Sequence, residues 1–126
     1  MKKIVCFGEV LWDVFPNHKK IGGAPLNVAL RLQSLENNVS IVSRIGNDIN
    51  GKKIIEFIKE KEIDTTYIQV DLKLNTSKVN ILLNKKGSAS YDIEHPSAWD
   101  NIQLIENTKK ITKESDVFIF GSLIAR

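Results

Sequence analysis

The stretches KIVCFGEV (residues 3–10), IGGAPLNVALRL (residues 21–32) and VSIVSRIGNDIN (residues 39–50) decide the fold. The first is a short apolar run, rich in β-branched residues and closed by glycine, which predicts a buried strand over residues 3–9. Gly22, Gly23, Ala24 and Pro25 punctuate the entry to a helix, in which Val28, Leu32 and Leu35 recur at four and three residues and Pro25 suits the first turn. Asn37 tolerates the left-handed conformation that ends such a helix. Residues 39–45 read as the next strand and residues 46–50 as a turn. Residues 51–61 form a second helix, with Ile54, Ile55, Phe57 and Ile58 on one face and lysines opposite. Strand, helix, strand, helix argues for a parallel sheet with right-handed crossovers, and ligands gather outside the carboxyl ends of such strands.

Outward from this core the pattern changes. Residues 11–15 turn into a polar loop. Beyond Asp64 come extended segments at 67–70, 78–83 and 89–93, the last two joined through Lys85-Lys86-Gly87-Ser88, which reads as an antiparallel insert. Ile102, Ile105 and Ile111 predict a helix over 102–111. Residues 117–120 form a buried strand running into Gly121-Ser122, a loop of the kind that begins a ligand site.

Composition places the chain among ordinary globular proteins: of 126 residues 42% are hydrophobic and 26% charged, which excludes disordered and collagen-like classes. One cysteine, Cys6, cannot form an internal disulfide and suits a reducing compartment, so the cytoplasm is the expected location. Eighteen basic residues are interspersed with fifteen acidic ones for a net charge of +3, which argues against nucleic-acid binding. The apolar run after Met1-Lys2-Lys3 is broken by Gly8 and Glu9 before it reaches the length of a secretory signal, and no later stretch is long enough to span a membrane.

Several side chains could carry chemistry. Asp13 follows the first strand, and Asn27 lies in the first turn of the helix that Gly22-Gly23 introduces. A carboxylate accepts hydrogen bonds from two neighbouring hydroxyls, a carboxamide donates and accepts, and glycines let a ring approach the backbone, so these groups together form a polyol-binding set. Taken singly each has a bland reading: a helix entry, a turn-maker, a solvated carboxylate. Asp48, two residues after Gly46 and three before Gly51, is expected to cap the following helix rather than line a pocket. Glu9 could face the site or solvent. His18 and His95 lack metal-ligand spacing and are read as surface residues. Trp12 and Trp99 could stack on a sugar but are more simply core. Lys19, Lys20, Lys85 and Lys86 are read as solvated. A dinucleotide-binding domain fits poorly, because no Gly-x-Gly-x-x-Gly follows the first strand.

Gly8-Glu9-Val10-Leu11-Trp12-Asp13, then Gly22-Gly23-Ala24-Pro25-Leu26-Asn27-Val28-Ala29, then Ile45-Gly46-Asn47-Asp48 with Gly51 resemble the first half of fructokinase-like members of the ribokinase (PfkB) family. The resemblance implies an α/β ribokinase-like fold, a mostly parallel sheet flanked by helices with a small antiparallel β lid. Residues 1–126 would be the N-terminal part of the kinase domain, with lid strands from about 11–20 and 66–93. It further implies that Asp13, Gly22, Gly23 and Asn27 hold sugar hydroxyls. The activity implied is ATP-dependent phosphorylation of a sugar, fructose first among hexoses, with ATP and Mg2+ as cofactors. The family's catalytic base and phosphate-binding amides lie in a C-terminal Gly-Ala-Gly-Asp segment that this sequence does not contain, so the chain alone is expected to be inactive. Asn75 stands where these kinases often carry a proline before Thr76, and residues 91–99 lack the arginine and paired alanines common in fructokinases, which leaves the sugar open. The alternatives are a ribose or nucleoside kinase of the same family and a non-catalytic sugar-binding or interaction module. An exposed lid sheet with one apolar face predicts a homodimer through the lid.

Overall fold

The computed structural model describes residues 2–125. Eight strands, β1 (Lys3–Phe7), β2 (Leu11–Val14), β3 (Lys19–Gly22), β4 (Asn38–Gly46), β5 (Ile68–Asp71), β6 (Ser77–Leu83), β7 (Ala89–Ile93) and β8 (Val117–Phe120), and three helices, α1 (Ala24–Ser34), α2 (Ile49–Glu60) and α3 (Glu106–Glu114), form two sheets and their cover. The main sheet has the order β5-β4-β1-β8 and is parallel throughout. Consecutive residues Ile4, Val5 and Cys6 in β1 and Val39 through Val42 in β4 are buried, as a parallel sheet covered on both faces requires. Leu26 and Ala29 of α1 and Ile54 and Ile58 of α2 close the core against these strands.

The second sheet has the order β3-β2-β6-β7. Here the structure corrects the sequence reading in three places. Residues 11–14, whose composition reads as running into a loop, are a strand, β2. The 67–70 segment is not part of the insert: β5 pairs parallel with β4, Ser43 opposite Ile68 through Gly46 opposite Asp71, and completes the main sheet. The insert is mixed, because β2 leaves the carboxyl end of β1 and β6 leaves the carboxyl end of β5. Both strands therefore grow from the same edge of the main sheet and run parallel, while β3 and β7 return antiparallel.

Two helix boundaries also shift. The left-handed residue after α1 is Glu36, at φ 64°, and Asn37 serves the helix end differently, its amide and its carboxamide both donating to the Leu32 carbonyl. The helix expected over 102–111 begins only at Glu106, because Gln69 of β5 holds the backbone of Gln103 with a reciprocal pair of 2.8 Å hydrogen bonds. A short 3-10 turn, Ala98–Asn101, buries Trp99 against β4.

Candidate functional site

The carboxyl ends of β1 and β8, the first turn of α1 and one face of the second sheet meet around a single open cavity of about 370 Å3, lined by Glu9, Leu11, Asp13, Gly23, Ala24, Asn27, Val79, Ser122 and Leu123. Side chains alternate across a strand, so Leu11 and Asp13 of β2 share a face with Val79, the register partner of Asp13 in β6. The opposite face carries Trp12 and Lys78. Three of the four residues singled out in the sequence, Asp13, Gly23 and Asn27, therefore line one cavity. Gly22 stands directly behind Asp13 instead: a Cβ built there would lie 2.6 Å from Asp13 Oδ2.

Gly23 caps α1 at φ 110°, a conformation that L side chains rarely adopt, and its missing Cβ leaves room for the Glu9 carbonyl, which would be 2.5 Å away. That close approach turns the start of α1 into the cavity, and the Asn27 amide donates to the Gly23 carbonyl at 3.0 Å. Glu9 is buried, 2% exposed, with its carboxylate towards Gly121. Burial pushes the Asp13 carboxyl above its ordinary value, and the Lys20 charge pulls it partly back. A carboxylate held partly desolvated beside a carboxamide and the hydroxyl-bearing Ser122 can accept hydrogen bonds from vicinal hydroxyls, while Leu11, Val79 and Leu123 offer the C–H faces of a ring an apolar wall. Leu11 and Ala24 fell within the motifs of the resemblance without being singled out, and Val79 and Leu123 carried no signal in the sequence beyond hydrophobicity. Ser122 did, as the residue following a strand that ends in glycine.

A larger cavity, about 560 Å3, lies on the Trp12 side of the second sheet and is lined by Asp48, Ile49, Asn50, Asn75, Thr76 and Lys78. Its acidic group is already engaged: Asp48 caps α2 by accepting from the Gly51 amide at 2.8 Å, as the sequence predicted, and accepts from the Thr76 hydroxyl and amide as well. Of the tryptophans, Trp99 is buried and Trp12 donates through Nε1 to the Asn50 carbonyl at 3.0 Å, with Lys19 Nζ 4.3 Å from its ring centroid. His18 stacks on Phe15, and His95 lies 3.8 Å from Asp100. Neither histidine lines the cavity that holds Asp13.

The family profile described as pfkB family carbohydrate kinase matches residues 1–125. Over 114 residues the chain is 35% identical to a protein of Pyrococcus horikoshii described as a sugar kinase, an alignment covering 90% of this chain and 36% of that protein. The crystal structure of that uncharacterized sugar kinase in complex with ATP superposes with a TM-score of 0.86 at 31% identity, covering 96% of this chain and 43% of that one. Fructokinase-1 of Oryza sativa subsp. japonica is 26% identical over 133 residues, 95% of this chain and 41% of that protein. Fructokinase from Vibrio cholerae O395, crystallised with fructose, ADP and calcium ion, aligns at 26% identity with a TM-score of 0.69 over 82% of this chain and 35% of that one. The chain thus spans less than half the length of the relatives it matches.

Proposed function

The chain belongs to the pfkB family of carbohydrate kinases, and from that membership we propose that it supplies the sugar-holding portion of an ATP-dependent sugar kinase, with Asp13, Gly23 and Asn27 at the sugar and Gly22 leaving the Asp13 carboxylate its place. The observation that carries this reading is the convergence of Asp13 from β2 and Asn27 from α1 on one cavity at the carboxyl edge of a parallel sheet. In this reading Asp13 accepts hydrogen bonds from two sugar hydroxyls, Asn27 bridges to a third, and Gly23 leaves the ring room beside the backbone. The second sheet roofs the cavity with Leu11 and Val79 and so keeps water from the transferred phosphate. Phosphoryl transfer needs a base for the sugar hydroxyl and amides and a cation for the phosphates. No Gly-Ala-Gly-Asp segment occurs in this sequence, so ATP, Mg2+ and the base belong to the remainder of the complete protein, and the chain alone should not turn over.

The substrate proposed is a hexose with fructose first, in line with the ligand of the Vibrio cholerae relative. A nucleoside is the second reading, favoured by the apolar wall of Leu11, Val79 and Leu123, which would suit a base. We place the protein in the cytoplasm, consistent with the buried thiol of Cys6. Leu83 and Tyr91, 61% and 66% exposed, extend the same face of the second sheet beyond the cavity, and a homodimer through that face would cover them. The deciding experiment is a phosphorylation assay of the complete protein with ATP and Mg2+ against ketoses, aldoses and nucleosides. Preference for fructose by tenfold or more, about 1.4 kcal/mol, is expected. An equal preference for a nucleoside selects the second reading, and no phosphorylation of any polyol defeats both.

A further inference from the structure

The second sheet hangs from the main sheet by two roots, one through Gly8–Val10 and Gly22–Gly23 around β2 and β3, the other through residues 72–76 and 94–98 around β6 and β7. The two are built differently. At the first, backbone packs on glycine, and the cap of α1 has no side-chain hydrogen bond. At the second, a partly buried polar knot ties three elements together. Asp48 at the start of α2 accepts from the Thr76 hydroxyl at 2.6 Å, the Thr76 amide at 2.9 Å and the Gly51 amide at 2.8 Å. The Thr76 hydroxyl in turn accepts from the Gly46 amide, the last residue of β4, at 2.9 Å. Thr76 is 1% exposed.

The knot fits only because two glycines surround it. A Cβ at Gly46 would lie 2.6 Å from the Thr76 amide nitrogen and 2.7 Å from Asp48 Oδ2, and one at Gly51 would lie 2.8 Å from Thr76 Oγ1. The outgoing strand is secured alongside, where the Ala98 amide donates to the Asn75 carbonyl at 2.9 Å. Burial pushes the Asp48 carboxyl up, but the Thr76 and Gly51 hydrogen bonds and the Lys78 charge outweigh it, so the group stays ionised and the knot stays charged well below neutral pH.

Thr76 immediately precedes β6, and three residues on, about 10 Å along the strand, Val79 is the register partner of Asp13. We propose that Asp48 and Thr76 are positioning residues for the sugar site: they fix the root of the second sheet to the end of β4 and, through the β6–β2 ladder, set where Asp13 stands relative to Asn27. This inference rests on the sugar-site reading above for its functional consequence, though not for its mechanical one. The knot lies on the far face of the sheet from the cavity, and its hydrogen-bond partners Gly46 and Gly51 are not among the residues that line it.

The test uses the complete protein with Thr76→Val, which keeps the shape and removes the hydroxyl, Thr76→Ser, which restores it, and Asp48→Asn. We expect Thr76→Val to raise KM for the sugar at least fivefold, to leave KM for ATP within twofold, and to be rescued by Thr76→Ser. Hydrogen exchange should accelerate at least tenfold in the amides of β2 and β6 while those of β1 and β4 keep their protection. Thr76→Val and Thr76→Ser behaving alike, or Thr76→Val losing thermal stability evenly with unchanged sugar KM, would overturn the proposal. Should the complete protein phosphorylate no polyol, the sugar reading fails by itself, and the exchange contrast between β6 and β4 still supports or refutes the knot as the fixed root.

Discussion

Replacing Gly22 by alanine should disable sugar binding by moving one carboxylate. Gly22 lies opposite Leu11 in the β2–β3 ladder, and an added Cβ would stand 2.6 Å from Asp13 Oδ2, whereas ordinary van der Waals contact begins at 3.4 Å. The carboxylate must retreat by 3.4 − 2.6 = 0.8 Å, enough to stretch a hydrogen bond of about 2.8 Å out of the bonding range. Hydrogen bonds to a charged group are worth roughly 1.5–3 kcal/mol, so Gly22→Ala should weaken sugar affinity roughly 10- to 150-fold. The φ of Gly22 is not among those in the left-handed region, so the fold itself should tolerate the methyl group. Titration calorimetry of the complete protein with fructose, beside a thermal melt, reads both quantities. Sugar binding by Gly22→Ala equal to the parent's, or a further tenfold loss from Asp13→Ala made in the same background, would refute this role for Gly22.

Gly23→Ala should behave in the opposite way, lowering stability first: φ 110° and a Cβ 2.5 Å from the rigid Glu9 carbonyl offer no soft neighbour to yield, and strain on the order of 1–3 kcal/mol should lower the melting temperature of the chain by roughly 4–11 °C, read by circular dichroism. Asp13 titrates near ~3.9 in an unfolded chain and higher in the fold, so between the two values the folded state holds more protons and stability falls as pH rises through that window. Asp13→Asn should therefore melt higher than the parent at pH 7, with the gain shrinking by pH 3, while binding sugar more weakly; an equal gain at both pH values would contradict the assigned cause. Cys6, with no exposed surface and a thiol that burial pushes up to about 11, should resist iodoacetamide at pH 8 in the folded protein and react fully in denaturant, a contrast that mass spectrometry measures directly.

Much of this architecture is written locally. The apolar run of β1, the Gly-Gly-Ala-Pro entry to α1 and the Gly-x-Asp-x-x-Gly turn into α2 each carry their own physical reason, and the structure keeps all three. What the sequence could not show was partnership. Residues 68–71 have the composition of any strand, and only packing against β4 puts them in the main sheet. The isoleucines at 102 and 105 keep a helical spacing, but the backbone between them is claimed by Gln69, a residue 34 positions away from Gln103. At the candidate site, Asp13 and Asn27 were legible only as a set, with Gly22-Gly23 between them, since each taken singly reads as an ordinary loop or helix-start residue. Val79 and Leu123 were not, since an apolar wall looks like core until the cavity is seen. Asp48 was recognisable as a helix cap, yet its second partner, Thr76, lies 28 residues away and only the fold brings it close.

Asp13 is proposed to hold the sugar and to take no part in holding ATP. Comparing the complete protein with its Asp13→Ala variant by calorimetry, with fructose and ATP titrated separately, tests it most directly. The sugar dissociation constant should rise roughly 10- to 150-fold, the worth of about 1.5–3 kcal/mol for a charged hydrogen-bond acceptor, while the ATP constant stays within twofold. Equal weakening of both ligands, or unchanged fructose binding, would contradict it.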